Sequence, residues 1–155
     1  MNITFKKADL SYLIDCKDAL VNSELGRVYF ADKEKAIASI TEAMQKDEVY
    51  VALDENAACL GFIQWIPNGA FHSYPYLHII AVKEEYRGNG IGKALMKLFE
   101  DKVFAERPKA FLVVADFNPK AKHLYQELGY KEVGIIPDLY KKGVTEYLMM
   151  KEKNE

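Results

Sequence analysis

The sequence predicts a mixed α/β sheet flanked by helices, and three observations carry that prediction. Two near-continuous apolar runs, "YLHIIAV" (76–82) and "AFLVVAD" (110–116), read as strands buried on both faces. Between them Ile91, Ala94, Leu95, Leu98 and Phe99 recur at i, i+3, i+4, i+7 and i+8, the buried stripe of an amphipathic helix. A helix crossing between two buried strands makes those strands parallel, with a right-handed connection. Elsewhere short strands follow one another through brief turns, so the rest of the sheet can be antiparallel. The fold class is therefore α/β with a mixed sheet, not a doubly wound one.

Each element has its own local signal. "NITFKKA" reads as a short first strand. Asp9 is a cap for a helix carrying Leu10, Leu13, Ile14 and Val21 on one face. A second helix after Asp32 sets Ile37, Ile40 and Met44 at helical spacing. "EVYVALD" and "CLGFIQWI" read as strands joined at "ENAA", a hairpin. "YLHIIAV", apolar on both faces apart from His78, belongs in the middle of the sheet. Asn118 followed by Pro119 starts a helix: a cap residue, then proline at the first helical position. Ala121, Leu124, Tyr125 and Leu128 are its apolar face, and Gly129 can end it in a left-handed conformation. "YKEVGII" and "VTEYLMMK" complete about seven strands and about four helices, and "MMKEKNE" reads as a fraying charged tail.

Composition bounds the function. The 155 residues suffice for one domain, 1–155, with a sizeable core. A formal net charge of -2 gives no general attraction to nucleic acid or to an anionic membrane. The N-terminus lacks the layout of a signal peptide, and no apolar run approaches the roughly 20 residues needed to cross a bilayer. Cys16 and Cys59 lie far apart in the chain and match no metal spacing, which predicts two small buried or half-buried side chains in a reducing, cytoplasmic setting.

The chemistry concentrates in "EYRGNGIGKAL" (85–95), where three glycines fall within five positions at the joint of a strand and a helix. Glycine weakens both elements, and its use here predicts a backbone that something approaches closely. The N-terminus of a helix presents N–H groups without intrahelical partners and the positive end of a dipole, so an anion such as a phosphate is the natural guest. Arg87 and Lys93 would add charge at the rim. The alternative is a tight turn without a ligand. The dinucleotide fingerprint needs glycine at 93, where Lys93 stands. The nucleotide-triphosphate loop needs glycine at 87 and serine or threonine at 94, where Arg87 and Ala94 stand. Both common phosphate loops are disfavoured.

The hexapeptide Arg87-Gly88-Asn89-Gly90-Ile91-Gly92 resembles the Arg/Gln-x-x-Gly-x-Gly/Ala signature of the GNAT family of N-acetyltransferases. "IIAVKEEYRGNGIGKALM" resembles that family's strand-loop-helix unit throughout. "NPKAKHLYQELGY" is similar to its second motif, with Asn118, Ala121, Tyr125, Gly129 and Tyr130 at the expected offsets. The order of elements fits the family over nearly the whole chain.

The resemblance implies acetyl-CoA as cosubstrate, with no metal. Its pyrophosphate would lie on the backbone amides of Arg87, Gly88, Asn89, Gly90, Ile91, Gly92 and Lys93. Its pantetheine arm would run beside Ile80, Ala81 and Val82 where the parallel strands splay, and Asn118, Ala121 and Tyr125 would complete the cofactor site. The reaction implied is direct attack of an amine on the thioester carbonyl in a ternary complex. A lysine-like amine, with a pKa of about 10.4, must first lose its proton. The Val82 or Ala81 N–H would serve the oxyanion. Tyr125 matches the tyrosine that hydrogen-bonds to or protonates the departing sulfur; it also reads as a packed core residue, and the two roles are compatible. His78 is a candidate base, though many relatives carry glutamate near this place and a water chain can serve instead. His72 and His123 read as solvated residues.

The acceptor, a small-molecule or peptide amine, would meet aromatic and acidic residues at Glu24, Tyr29, Phe30, Phe71, Tyr74, Asp138 and Tyr140, a set suited to a cation. The resemblance also admits a homodimer, whose surface the sequence does not reveal. The competing reading is a non-catalytic acyl-CoA-binding regulatory module on the same fold, since fold does not guarantee turnover. A nucleotide-phosphate-binding protein stands third.

Overall fold

In the computed structural model, which describes residues 1–154, strand signals and helix caps resolve into seven strands and five α-helices. In chain order these are β1 (Thr4–Lys7), α1 (Leu13–Val21), α2 (Glu24–Tyr29), α3 (Lys33–Gln45), β2 (Val49–Leu53), β3 (Cys59–Ala70), β4 (Tyr74–Val82), α4 (Ile91–Val103), β5 (Lys109–Ala115), α5 (Pro119–Glu127), β6 (Lys131–Pro137) and β7 (Thr145–Glu152). The sheet runs β1-β2-β3-β4-β5-β7-β6, so "YLHIIAV" is central, as its apolar faces predict. β4 and β5 are parallel while the β1–β2, β2–β3, β5–β7 and β6–β7 pairs are antiparallel. No helix among the described residues is long and apolar enough to cross a membrane. The chain divides into two compact units, Met1–Trp65 with Ile79–Phe99, and Ile66–His78 with the chain from Glu100 onward.

In the first unit, Leu20, Ile40, Val49, Val51, Phe62 and Ile79 are all at most 2% exposed and anchor one apolar cluster. The first helix differs from its predicted face. Asp9 accepts a hydrogen bond from the Ser11 N–H and closes a 3-10 turn, Leu10–Tyr12, so α1 begins only at Leu13. The helix consequently buries Cys16, Ala19 and Leu20, and Leu10 and Ile14 are left exposed. The short α2 has no counterpart in the predicted elements. Ser23 caps it by accepting from the Gly26 N–H at 3.0 Å. Gly26 lowers its helical signal but is sterically required: a Cβ there would lie 1.7 Å from the Leu20 carbonyl oxygen. The two cysteines, distant in sequence, meet in this unit, where their free thiols share a hydrogen bond that raises Cys16 and lowers Cys59.

In the second unit, the β4–β5 ladder is short, pairing Tyr76 with Phe111 and Leu77 with Leu112. β7 then lies along all of β5, from Lys109↔Glu152 to Ala115↔Glu146. The strands on either side of the 71–73 turn are longer than the predicted runs "CLGFIQWI" and "YLHIIAV": β3 continues to Ala70 and β4 starts at Tyr74, and Phe71 and His72 in the turn have positive φ. α5 starts and stops as its caps predict. Asn118 is its N-cap and Pro119 its first residue. At its end Gly129 takes φ +99°, the Gly129 N–H reaches the Gln126 carbonyl and the Tyr130 N–H the Tyr125 carbonyl, a complete Schellman closure. The charged C-terminal stretch is mostly ordered strand, since β7 runs to Glu152 and the Lys153 N–H bonds the Pro108 carbonyl at 2.8 Å. Lys151 and Tyr130 both bond the Glu100 carboxylate, at 2.6 and 3.1 Å, which joins the end of α4 to β7.

Candidate functional site

The glycine loop leaves the carboxyl end of β4. The Lys83 N–H bonds the Leu60 carbonyl at 2.9 Å, a 3-10 turn follows at Glu84–Tyr86, and residues 87–90 lead into α4. Gly88 and Gly90 take φ of +81° and +75°, so the left-handed backbone alone accounts for them. Gly92 is different. It lies in the first turn of α4 without a positive φ, and a Cβ built on it would meet nothing within 4 Å. Neither conformation nor packing within the chain requires glycine there, although glycine costs a helix interior about 1 kcal/mol relative to alanine. Open space also fronts Gly88 and Gly90. The first turn carries no acidic side chain, and the N–H groups at the start of the helix have no intrahelical acceptor. Bare backbone, donors without an intrahelical acceptor and a positive dipole fit an anionic group approaching from outside the chain.

Arg87 does more than add charge. Its Nη2 donates to the Asn22 carbonyl at 2.8 Å and its Nε to the Val82 carbonyl at 3.3 Å, so the guanidinium braces the loop against the end of α1. The Asn89 side chain donates to the Tyr86 carbonyl at 2.9 Å, while Lys93 is exposed. Ile80, Ala81 and Val82 follow the part of β4 that pairs with β5, and Ala81 is buried between two half-buried neighbours. Gly61 is another close approach, since a Cβ there would lie 2.5 Å from the Ala81 carbonyl oxygen. Lys83 and Asp15 form an ion pair of 2.5 Å beside this strand end.

In the second unit, the Asn118 side chain accepts from the Ala121 N–H at 3.4 Å. Asn118 and Ala121 thus have a capping role that is complete without a ligand. Tyr125 is 7% exposed, with its ring 6.1 Å from that of Tyr130 in a T-shaped contact. Burial pushes its phenol up to about 12, so the hydroxyl keeps its proton at neutral pH.

His78 is half-buried on β4, on the same strand face as Tyr74 and Tyr76, and its ring lies 6.2 Å from that of Tyr76. Of the acceptor-side candidates, Phe71 and Tyr74 come together around Phe111, with ring centroids 5.5 and 5.6 Å from it. Tyr140 reaches β4, its hydroxyl 3.0 Å from that of Tyr76. The two acids are otherwise engaged. Glu24 pairs with Arg27 at 2.9 Å on an exposed helix face. Asp138 accepts from the Gly143 N–H at 2.7 Å and organises the β6–β7 turn. Tyr29 is half-buried at the end of α2, and Phe30 packs against the apolar cluster.

Three residues absent from the sequence-based set belong with this face: Tyr76, Phe111 and Glu146. Tyr76 was legible in principle, since Tyr74, Tyr76 and His78 alternate on one strand. Glu146 is 2% exposed, and its one signal is an acid set within the strand run "VTEYLMM". Among the described residues, no group of three or more His, Cys, Asp or Glu is arranged to hold a metal ion.

Comparison with known proteins accords with this architecture. An uncharacterised N-acetyltransferase of Methanocaldococcus jannaschii is 40% identical over 80 residues, 49% of this chain and 51% of that protein. An N-alpha-acetyltransferase of Sulfurisphaera tokodaii is 42% identical over 74 residues, 45% of this chain and 43% of that protein. The matches therefore span about half the length of these curated relatives. A crystal structure of a GNAT-family acetyltransferase from Bacillus cereus superposes with a TM-score of 0.80 over 100% of both chains at 16% identity, a likeness of fold. The model of the acetyltransferase (GNAT) family matches residues 16–130, about three quarters of the sequence, and this chain belongs to that family.

Proposed function

We propose that the chain is a single-domain acetyl-CoA-dependent N-acetyltransferase that transfers acetyl to a primary amine of a small molecule or peptide in a ternary complex. The observation that carries this reading is the bare backbone at Gly92, a glycine the fold itself does not need, at a helix mouth open to an anion. Arg87, Gly88, Asn89, Gly90, Ile91, Gly92 and Lys93 hold the cosubstrate's pyrophosphate through their amides, and Arg87 keeps the loop in place. Main-chain groups of Ile80, Ala81 and Val82 pair with the pantetheine arm, as an amide-bearing chain pairs with a strand edge. Acetyl-CoA supplies the activated acyl group.

The chain's own part is then to orient and to manage protons. The N–H of Val82 or Ala81 donates to the acyl oxygen. Tyr125 donates from its protonated phenol to the leaving sulfur. Asn118 and Ala121 fix the start of the helix that carries Tyr125. His78, at the half-buried face of β4, takes the proton of the amine directly or through water. Phe71, Tyr74 and Tyr140 form the aromatic wall on the acceptor side. The free thiols of Cys16 and Cys59 suit a reducing, cytoplasmic setting.

The test is an acceptor screen. With acetyl-CoA and a panel of primary amines, we expect free thiol to appear only when the right amine is present, with equimolar N-acetyl product. Tight coenzyme A binding with no acceptor-dependent thiol would instead mean a regulatory acyl-CoA-binding module.

A further inference from the structure

The Glu100 carboxylate, in the last turn of α4, takes two donors. Lys151 of β7 donates to its Oε1 at 2.6 Å, and the Tyr130 hydroxyl donates to its Oε2 at 3.1 Å. The cluster is well covered: the Glu100 and Lys151 side chains are 16% and 15% exposed, and Tyr130 is 2% exposed. Packing alone does not call for it. Phenylalanine would fill nearly the same space as Tyr130, and apolar side chains in place of a covered ion pair are often neutral or stabilising, because charges are costly to take out of water. What such a trio adds is direction, since two short bonds to one carboxylate admit few arrangements of the donors.

The part so directed is Tyr130. Its N–H donates to the Tyr125 carbonyl at 2.9 Å, at the stop of α5 where Gly129 takes φ +99°. Lys151 runs past that stop on its way to Glu100: a Cβ on Gly129 would lie 3.4 Å from the Lys151 Cε. The Lys151 ammonium also stands 5.9 Å from the centre of the Tyr130 ring. Burial, and after it the Glu100 charge, raise the Tyr130 phenol, so it keeps its proton and stays the donor. The Tyr130 ring is thus tied at its backbone and at its hydroxyl. Tyr125 meets it edge to face, with centroids 6.1 Å apart and planes at 67°. A phenol that must reach a departing sulfur is aimed by whatever holds its ring, and an error of about 1 Å in such aim can cost about a hundredfold in rate.

We infer that Glu100 is a positioning residue: with Lys151 it anchors the Tyr130 hydroxyl, and through the Tyr130 ring it sets where the Tyr125 phenol meets the departing sulfur. The inference deepens the acetyltransferase reading and rests on it for the role of Tyr125. Glu100 and Lys151 stand outside both sequence motifs. Together with Tyr125 and Tyr130 they lie within the second compact unit. The cluster makes and breaks no bond, and acts on placement alone.

The experiment assays the full chain at saturating acetyl-CoA with n-butylamine, cadaverine, lysine amide and glycinamide, and carries the fastest acceptor through the variants. Thiol release gives kcat and KM, calorimetry gives coenzyme A affinity, and melting reports the fold. Y130F keeps the ring and removes the anchored hydroxyl. We expect kcat to fall about five- to tenfold while the amine KM and coenzyme A affinity stay within about twofold. E100Q keeps the side chain's length but has a single acceptor oxygen for two donors, so it should lose kcat about as Y130F does. In a Y125F background the hydroxyl to be aimed is gone, and adding Y130F should cost less than about twofold more. Lys122→Met is the control. It removes from α5 a 2.6 Å ion pair with Glu132 that does not involve Tyr130, and kcat should stay within about twofold.

Wild-type kcat in Y130F overturns the inference, as does a Y130F loss that Y125F does not absorb. A merely structural cluster would lower melting and coenzyme A affinity along with kcat, and Lys122→Met would then lower kcat as well; either pattern overturns it too. Should Y130F not fold, E100Q decides: unchanged kcat overturns the proposal, and a five- to tenfold loss at constant KM supports it. An active wild type with an unimpaired Y130F refutes the inference and leaves the enzyme reading standing. A wild type that releases thiol with none of the amines refutes the inference together with that reading.

Discussion

Tyr125 combines a packed ring with a phenol that burial holds at about 12. That value decides which of two roles the hydroxyl can play at a leaving thiolate. An ordinary thiol has a pKa near 8.5, so full proton transfer from this phenol would be uphill by about 3.5 units, roughly 5 kcal/mol. Donation of a hydrogen bond carries no such penalty, and burial strengthens it. In the proposed mechanism Tyr125 would accordingly serve as a hydrogen-bond donor to the sulfur, and the proton that ends on the thiol would come from elsewhere. Tyr125→Phe keeps the ring and removes the donor. We expect kcat for acceptor-dependent thiol release to fall about 10- to 100-fold, within the range for losing a transition-state donor, while coenzyme A affinity moves less than about twofold. Unchanged turnover would take Tyr125 out of the chemistry. At this scale the motif residues were legible because their offsets are local. Glu24 and Asp138 mark the limit of such local reading. Whether an acid faces a ligand or is spent on Arg27 or on a turn N–H depends on neighbours that its own position does not reveal.

At the scale of elements, the start of α4 sets two demands against each other. Helix propensity asks for a side chain at 92, and an incoming anion asks for none. Gly92→Ala separates them, because the added methyl meets no atom of the chain. We expect urea unfolding to show a gain of up to about 1 kcal/mol in stability, by relief of the glycine's backbone entropy. Coenzyme A titration should show at least about tenfold weaker binding, because the methyl occupies space the phosphate approaches through. Coenzyme A binding as tight as wild type would mean that the bare backbone serves no ligand. The same competition between local and distant causes explains which elements could be read from sequence. α4 and α5 were legible because a stripe, a cap, a proline and a terminal glycine all act within a few residues. α1 was read out of phase because Asp9 caps a 3-10 turn first. α2 was missed because Gly26 answers to the Leu20 carbonyl, a contact no propensity records. The β3–β4 hairpin was cut short for a similar reason. Gly69 looks like a loop residue, yet its role is to let Ile66 and Tyr76 approach, since a Cβ there would lie 2.9 Å from each side chain.

Across the whole molecule, the central parallel pair was legible and the strand order beyond it was not. Two strands apolar on both faces and joined by a helix have few alternatives. The insertion of β7 between β5 and β6 is a long-range pairing with no local signature. Ligand binding is also a property of the whole chain, and it gives the broadest test of the glycine loop. A molecule that binds only the folded state stabilises it by an amount set by its concentration relative to Kd, about 2.7 kcal/mol at a hundredfold excess. For a chain of this size that is a rise in Tm of roughly 5–10 °C. In the proposed site coenzyme A would offer both a pyrophosphate to the amides of 87–93 and an amide-bearing arm to Ile80, Ala81 and Val82, whereas ATP would lack the arm. We therefore expect a full shift with coenzyme A, a much smaller one with ATP at equal concentration, and a coenzyme A shift cut by about half or more in Gly92→Ala even though that variant starts from a higher Tm. Stabilisation by ATP and not by coenzyme A would make the loop a nucleotide-phosphate site. Stabilisation by neither would reduce three glycines at a helix mouth to a turn.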